Sequence, residues 1–84
     1  MTLMNDTSLG LAKRLRAARL LVDLEQADIA VRVGVARQTV SNWERGLTEP
    51  SATQFVRWAH VTGQPLEWLA EGVVRPEGLE PPTF

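Results

Sequence analysis

Leu24–Gly46 reads LEQADIAVRVGVARQTVSNWERG, and the fold turns on this stretch. Its apolar residues Leu24, Ile29, Ala30, Val33, Val35 and Val40 recur at spacings that place them on the inward faces of two short helices. A tight turn at Gly34 joins the two, which makes the unit a helix-turn-helix. On the second helix Arg37, Gln38, Ser41 and Asn42 stand at i, i+1, i+4 and i+5, pointing away from the apolar face. A water-facing helix more usually carries Glu and Lys. These four side chains instead offer the hydrogen-bonding groups that meet base edges in a major groove.

The segment resembles the Cro/C1-type helix-turn-helix, or XRE family, of phage and bacterial repressors, over about residues 9–70. The marks are Gln26 opening the second helix, Ala30 where the two helices touch, Gly34 in the turn, and Gln38–Gly46, QTVSNWERG, across the third helix and its end. Arg19 also fits, because the family often pairs an arginine there with a glutamate at the position of Glu44. The resemblance implies a compact, all-α, five-helix lambda-repressor-like domain, with the Arg19–Glu44 ion pair as a structural tie. In two places the chain departs from the pattern: Glu25 and Ala36 stand where the family usually starts a helix with Ser or Thr. Each lost N-cap hydroxyl is expected to cost about 1 kcal/mol.

Working outward, the first helix is expected over about residues 9–22. Its inner face is Leu11, Leu15, Ala18 and Val22, and Lys13, Arg14 and Arg16 lie outside it. Helices follow over about 26–33 and 37–44, the latter ended by Arg45 and a glycine free to take positive φ, Gly46. Ser51 caps a fourth helix whose inner face is Phe55, Trp58 or Ala59, and Thr62, and Gly63 stops it. Pro65 introduces a short fifth helix over 66–70, with Leu66 and Leu69 expected to close the core. Residues 1–8 read as a flexible N-terminus, 9–70 as the domain and 71–84 as a tail.

Eighty-four residues allow one small domain, and 44% hydrophobic content with three Trp and two Phe suffices for a helical core. Without cysteine the chain has no disulfide, thiolate metal site or cysteine nucleophile. Neither a membrane-spanning apolar run nor a signal-peptide pattern is present, so a cytoplasmic protein of a bacterial host is expected. His60, the sole histidine, falls on the outward side of helix four and gives neither a metal site nor a general base anything to build on. No nucleophile stands with a base and no glycine-rich loop follows a strand, so no enzyme activity and no cofactor are expected.

A net charge of −1 is low for a nucleic-acid partner, but its distribution is polarised. Leu9–Arg45 carries seven basic residues against four acidic ones; the remainder carries two against six. The N-terminal half is thus the half suited to phosphates. Arg37, Gln38, Ser41 and Asn42 are expected to read bases, and Gln26, Thr39 and Arg45 to hold phosphates. Trp43 is expected to pack on the core.

The tail Arg75–Phe84, RPEGLEPPTF, has three prolines and no helical period, and is expected to be disordered. Gly78-Leu79-Glu80-Pro81 can be encoded by GGACTCGAACCC, the reverse complement of GGGTTCGAGTCC, which resembles the T-arm of a transfer-RNA gene. An open frame crossing a phage attachment site would end in this way. The expectation is a small temperate-phage immunity repressor that occludes a promoter, acting on a double-stranded, pseudo-palindromic operator with two copies bound at least on DNA. Leu66, Trp68, Val73 and Val74 are the apolar residues placed for a weak homodimer. The competing expectation is an antitoxin, in which the same helices bind DNA and the remaining surface neutralises a protein partner.

Overall fold

The computed structural model describes residues 7–72, with side chains from Gly10 onward. Those residues form five helices and no strand: α1 (Thr7–Leu21), α2 (Gln26–Val33), α3 (Arg37–Glu44), α4 (Ala52–Thr62) and α5 (Leu66–Glu71). Tail residues 73–84, and with them the expected disorder and the contacts of Val73 and Val74, lie outside the described residues. No helix among the described residues is long and apolar enough to cross a membrane.

The core is built where the apolar periodicities meet. Leu15 and Ala18 of α1, Ile29, Ala30 and Val33 of α2, and Val40 and Trp43 of α3 pack with Trp58, Ala59 and Leu69. Trp58 is fully buried, and its indole N–H donates to the Leu15 carbonyl at 3.1 Å, which satisfies the one polar atom that such burial would strand. Trp43 meets it edge to face, with ring centroids 5.9 Å apart. Trp43 is thus a core residue, as expected.

Two expected core residues are exposed instead. Val22 lies beyond the end of α1, where Asp23 turns into the left-handed region at φ 58° and carries the chain off the helix axis. Leu66 opens α5, and its first-turn position faces outward while Leu69, one turn later, is buried. Ala12 and Arg19 are buried on α1 as well.

Helix ends follow local chemistry. Ser51 caps α4 reciprocally with Gln54: the Gln54 N–H donates to Ser51 Oγ at 3.2 Å, and the Ser51 N–H donates to Gln54 Oε1 at 2.8 Å. At α2 Asp28 Oδ2 accepts from the Glu25 N–H at 3.1 Å, the counterpart of the Gln54 bond to the Ser51 N–H. Ala36 gives α3 no side-chain cap. Gly34 ends α2 at φ 89°, a conformation that L side chains rarely adopt, and its N–H returns to Ala30 O at 2.8 Å. This turn sets the angle between α2 and α3.

Two arginines that look like free surface charge are structural. Arg14 donates to the carbonyls of Leu69 and Ala70 at 2.9 and 2.8 Å, joining α1 to the C-terminal end of α5. Arg57 reaches from α4 to the Val33 carbonyl at the end of α2. Both sit where a helix C-terminus favours a cation. Arg14 therefore leaves the set of cations that the charge distribution assigned to a phosphate-facing surface.

Candidate nucleic-acid interface

α3 is held from behind by Val40 and Trp43, both buried, so its remaining face is fixed outward. On that face Arg37 and Gln38 are exposed, and Ser41 and Asn42 are half-buried one turn further on. Thr39 is half-buried beside Val40, and Arg45 follows the helix in the open. All seven side chains assigned to bases and phosphates thus fall on α3, just after it, or at the first residue of α2.

These side chains are ordered by one another. Gln38 Nε2 donates to Asn42 Oδ1 at 3.2 Å, an i, i+4 amide pair along the exposed ridge. Arg37 Nη1 donates to Gln26 Oε1 at 3.0 Å, linking the first residue of α3 to the first residue of α2. Gln26 Nε2 donates in turn to Glu44 Oε1 at 3.1 Å. The orientation of the Gln26 amide follows from charge: its N–H end faces a carboxylate and its oxygen faces a guanidinium, and the reverse would oppose like to like. One N–H of that amide stays uncommitted.

Behind this chain lies the expected ion pair. Arg19 Nε and Nη2 donate to Glu44 Oε2 and Oε1 at 2.7 and 2.8 Å, a fork-on-fork arrangement, and Nη1 donates to the Leu24 carbonyl at 2.8 Å. The two side chains are 8% and 3% exposed, so water competes little for either. Donating to the Glu44 carboxylate raises the Arg19 pKa above its ordinary value, against the opposing effect of burial, with the charges of Glu44 and Glu25 adding to the rise. The family resemblance supplied both ends of this pair. The Gln26 link between it and Arg37 needs the angle of the turn, which spacing does not contain.

His60 is exposed on the outward side of α4, and no cluster of three or more metal-ligating side chains occurs among the described residues.

A family model described as helix-turn-helix matches residues 15–69, from the second half of α1 through the turn to Leu69 of α5. The chain belongs to the Cro/C1-type helix-turn-helix family. Among curated proteins it is 37% identical over 51 residues to an uncharacterized HTH-type transcriptional regulator of Haemophilus influenzae, and that match covers 61% of this chain and 21% of the relative. It is also 32% identical over 76 residues to an uncharacterized transcriptional regulator in the ATPase CF(0) region of Rhodospirillum rubrum, covering 86% of this chain and 70% of that one. The chain thus spans about a fifth of the first relative's length and about two thirds of the second's.

Among solved structures the P22 c2 repressor in complex with a synthetic operator superposes at a TM-score of 0.71 with 28% identity, over 75% of this chain and 96% of that one. Hydroxypropylphosphonic acid epoxidase from S. wedmorenis superposes at 0.70 with 31% identity, but only 42% of its chain is matched. The same five-helix unit therefore also occurs as the smaller part of a larger protein, and fold alone does not assign chemistry.

Proposed function

We propose that the chain is a sequence-specific, double-stranded DNA-binding transcriptional repressor that acts by occluding a promoter. The observation that carries this reading is the outward face of α3, where Arg37, Gln38, Ser41 and Asn42 are presented on a helix whose back is locked into the core. With α3 in a major groove, the Arg37 fork suits guanine and the Gln38 amide suits adenine. Ser41 and Asn42 reach the next bases. Gln26, through its uncommitted N–H, Thr39 and Arg45 hold phosphates and set the register. Residues 9–70 form the binding unit. One unit buries a modest interface, so two copies act on a pseudo-palindromic operator about one helical turn apart.

The repressor belongs, on this reading, to a temperate phage and maintains immunity. Support comes from the fold shared with the P22 c2 repressor and from the Gly78–Pro81 segment, which can be encoded by a sequence resembling a transfer-RNA T-arm in reverse complement. An adjacent transfer-RNA gene and integrase gene are expected at the locus. A locus lacking both removes the phage assignment and leaves the repressor intact.

The deciding experiment is binding of wild type and Gln38→Ala to the protein's own upstream DNA and to a scrambled duplex across a salt series. Wild type should prefer its own site by orders of magnitude, and Gln38→Ala should lose that preference while keeping the salt slope. Equal, weak binding of both proteins to both duplexes would reject base reading by α3.

A further inference from the structure

Beside the end of α3 the surface dips into an open groove of about 480 Å³, lined by Lys13, Arg16, Ala17 and Leu20 of α1 and by Glu44 and Arg45. The lining is cationic. Lys13, Arg16 and Arg45 are exposed, and none has a hydrogen-bond or ion-pair partner among the described residues. The one acid, Glu44, is 3% exposed and committed to Arg19 through two bonds, so its charge is neutralised from behind. Three unpartnered cations therefore converge on one concavity with no exposed counter-charge in its wall.

The groove is continuous with the face of α3. Arg45 is one helical turn beyond Ser41 and belongs to both surfaces, so a duplex seated on α3 carries a sugar–phosphate strand toward α1. The neighbouring arginine, Arg14, turns away to the end of α5 and does not contribute. Ala17 leaves a floor without bulk between Lys13 and Leu20, which suits a backbone passing over it.

We propose that this groove is a backbone-phosphate site in which Lys13 and Arg16 of α1, with Arg45, clamp the DNA strand flanking the bases read by α3. The proposal rests on the DNA-binding reading above and extends the contact surface to α1. Its ligand is the phosphodiester backbone, so it adds affinity without sequence preference.

The test compares wild type, the Lys13→Gln/Arg16→Gln double variant and Arg32→Gln, an exposed cation outside the groove. Each is titrated with own-site and scrambled duplexes at several salt concentrations. Neutralising two phosphate contacts makes the slope of log K against log salt shallower by roughly 1.8, so the double variant's deficit should shrink about tenfold between about 50 and 200 mM salt. Its ratio of own-site to scrambled binding should equal that of wild type, and its thermal melt should be unchanged. An unchanged slope in the double variant, with wild type binding its site, would overturn the groove alone, as would an equal per-charge effect from Arg32→Gln. A wild type that binds neither duplex would remove both the repressor reading and the groove.

Discussion

Arg19 closes on Glu44 through bonds of 2.7 and 2.8 Å, and both side chains are almost wholly withdrawn from water. Such a pair contributes less through its own attraction than through the cost of leaving either charge alone. Glu44→Ala is expected to destabilise the fold by about 3–5 kcal/mol, because the Arg19 guanidinium would stay buried without a counter-charge. That approaches the whole stability of a small domain. Replacing both partners, Arg19→Met with Glu44→Leu, should cost much less than the sum of the single changes. Urea unfolding of wild type, Arg19→Met, Glu44→Leu and the double variant checks this, and additive losses would show the pair to be uncoupled.

The pair's pH dependence has a definite sign. A folded-state pKa raised above the unfolded value contributes stability at every pH below the unfolded value, and loses it only as pH rises through the folded one. For an arginine both values lie far above neutrality. The coupling energy of the cycle above should therefore be the same at about pH 7 and pH 10. A fall in coupling across that interval would mean that Arg19 is not the group held by Glu44.

Much of this architecture is legible in the sequence, and the failures have physical causes. Gly34, Ser51 and Gly46 announce their turns because φ preference and capping are properties of single residues. Val40 and Trp43 announce the buried side of α3 because period alone decides which face is inward. Val22 and Leu66 mislead for the opposite reason: each continues an apolar period past the point where the helix ends or has barely begun. Arg14 misleads because its carbonyl partners are 55 and 56 residues away, a distance that no local pattern encodes. The α1 groove stayed unread on similar grounds, since Arg16 and Arg45 share it only once Arg19 has pulled Glu44 against α1.

Arg14→Met should retain most of the packing of the stem and lose the two bonds to α5. The expected cost is about 1–3 kcal/mol, because carbonyls at the end of a short helix lose a charged donor. Hydrogen exchange should report a selective loss of protection at Leu69 and Gly72, whose amides close α5. Uniform loss across α2 and α3 would place Arg14 in the global core instead.

Asp23 carries a positive φ of 58° and a negative charge at the C-terminal end of α1. Left-handed backbone is costly for a residue with a Cβ, and an acid opposes the partial negative charge of the helix end. Asp23→Gly relieves both, against the entropy that glycine loses on folding. The expected gain is about 1 kcal/mol, or roughly 4–8 °C in Tm for a domain of this size. A lower Tm would show that the Asp23 carboxylate makes a contribution of its own.

Gln26 joins the buried pair to the outward face of α3, because its amide accepts from Arg37 and donates to Glu44 at the same time. If this link aims the Arg37 guanidinium, removing it should affect base choice more than backbone affinity. Gln26→Leu leaves an apolar side chain one atom shorter and deletes both bonds, at an expected cost of about 0.5–1.5 kcal/mol per bond in stability. Discrimination at the base facing Arg37 should fall about as far as it does in Arg37→Ala, and combining the two changes should add little. Single-base substitution across the operator reads this directly. Binding to a scrambled duplex separates the possibilities: Gln26→Leu also removes the uncommitted N–H offered to a phosphate, which would weaken own-site and scrambled binding alike and, being uncharged, leave the salt slope unchanged. Uniformly weaker binding to both duplexes with base preference intact would make Gln26 a phosphate ligand alone, and the hydrogen bond from Arg37 incidental to recognition.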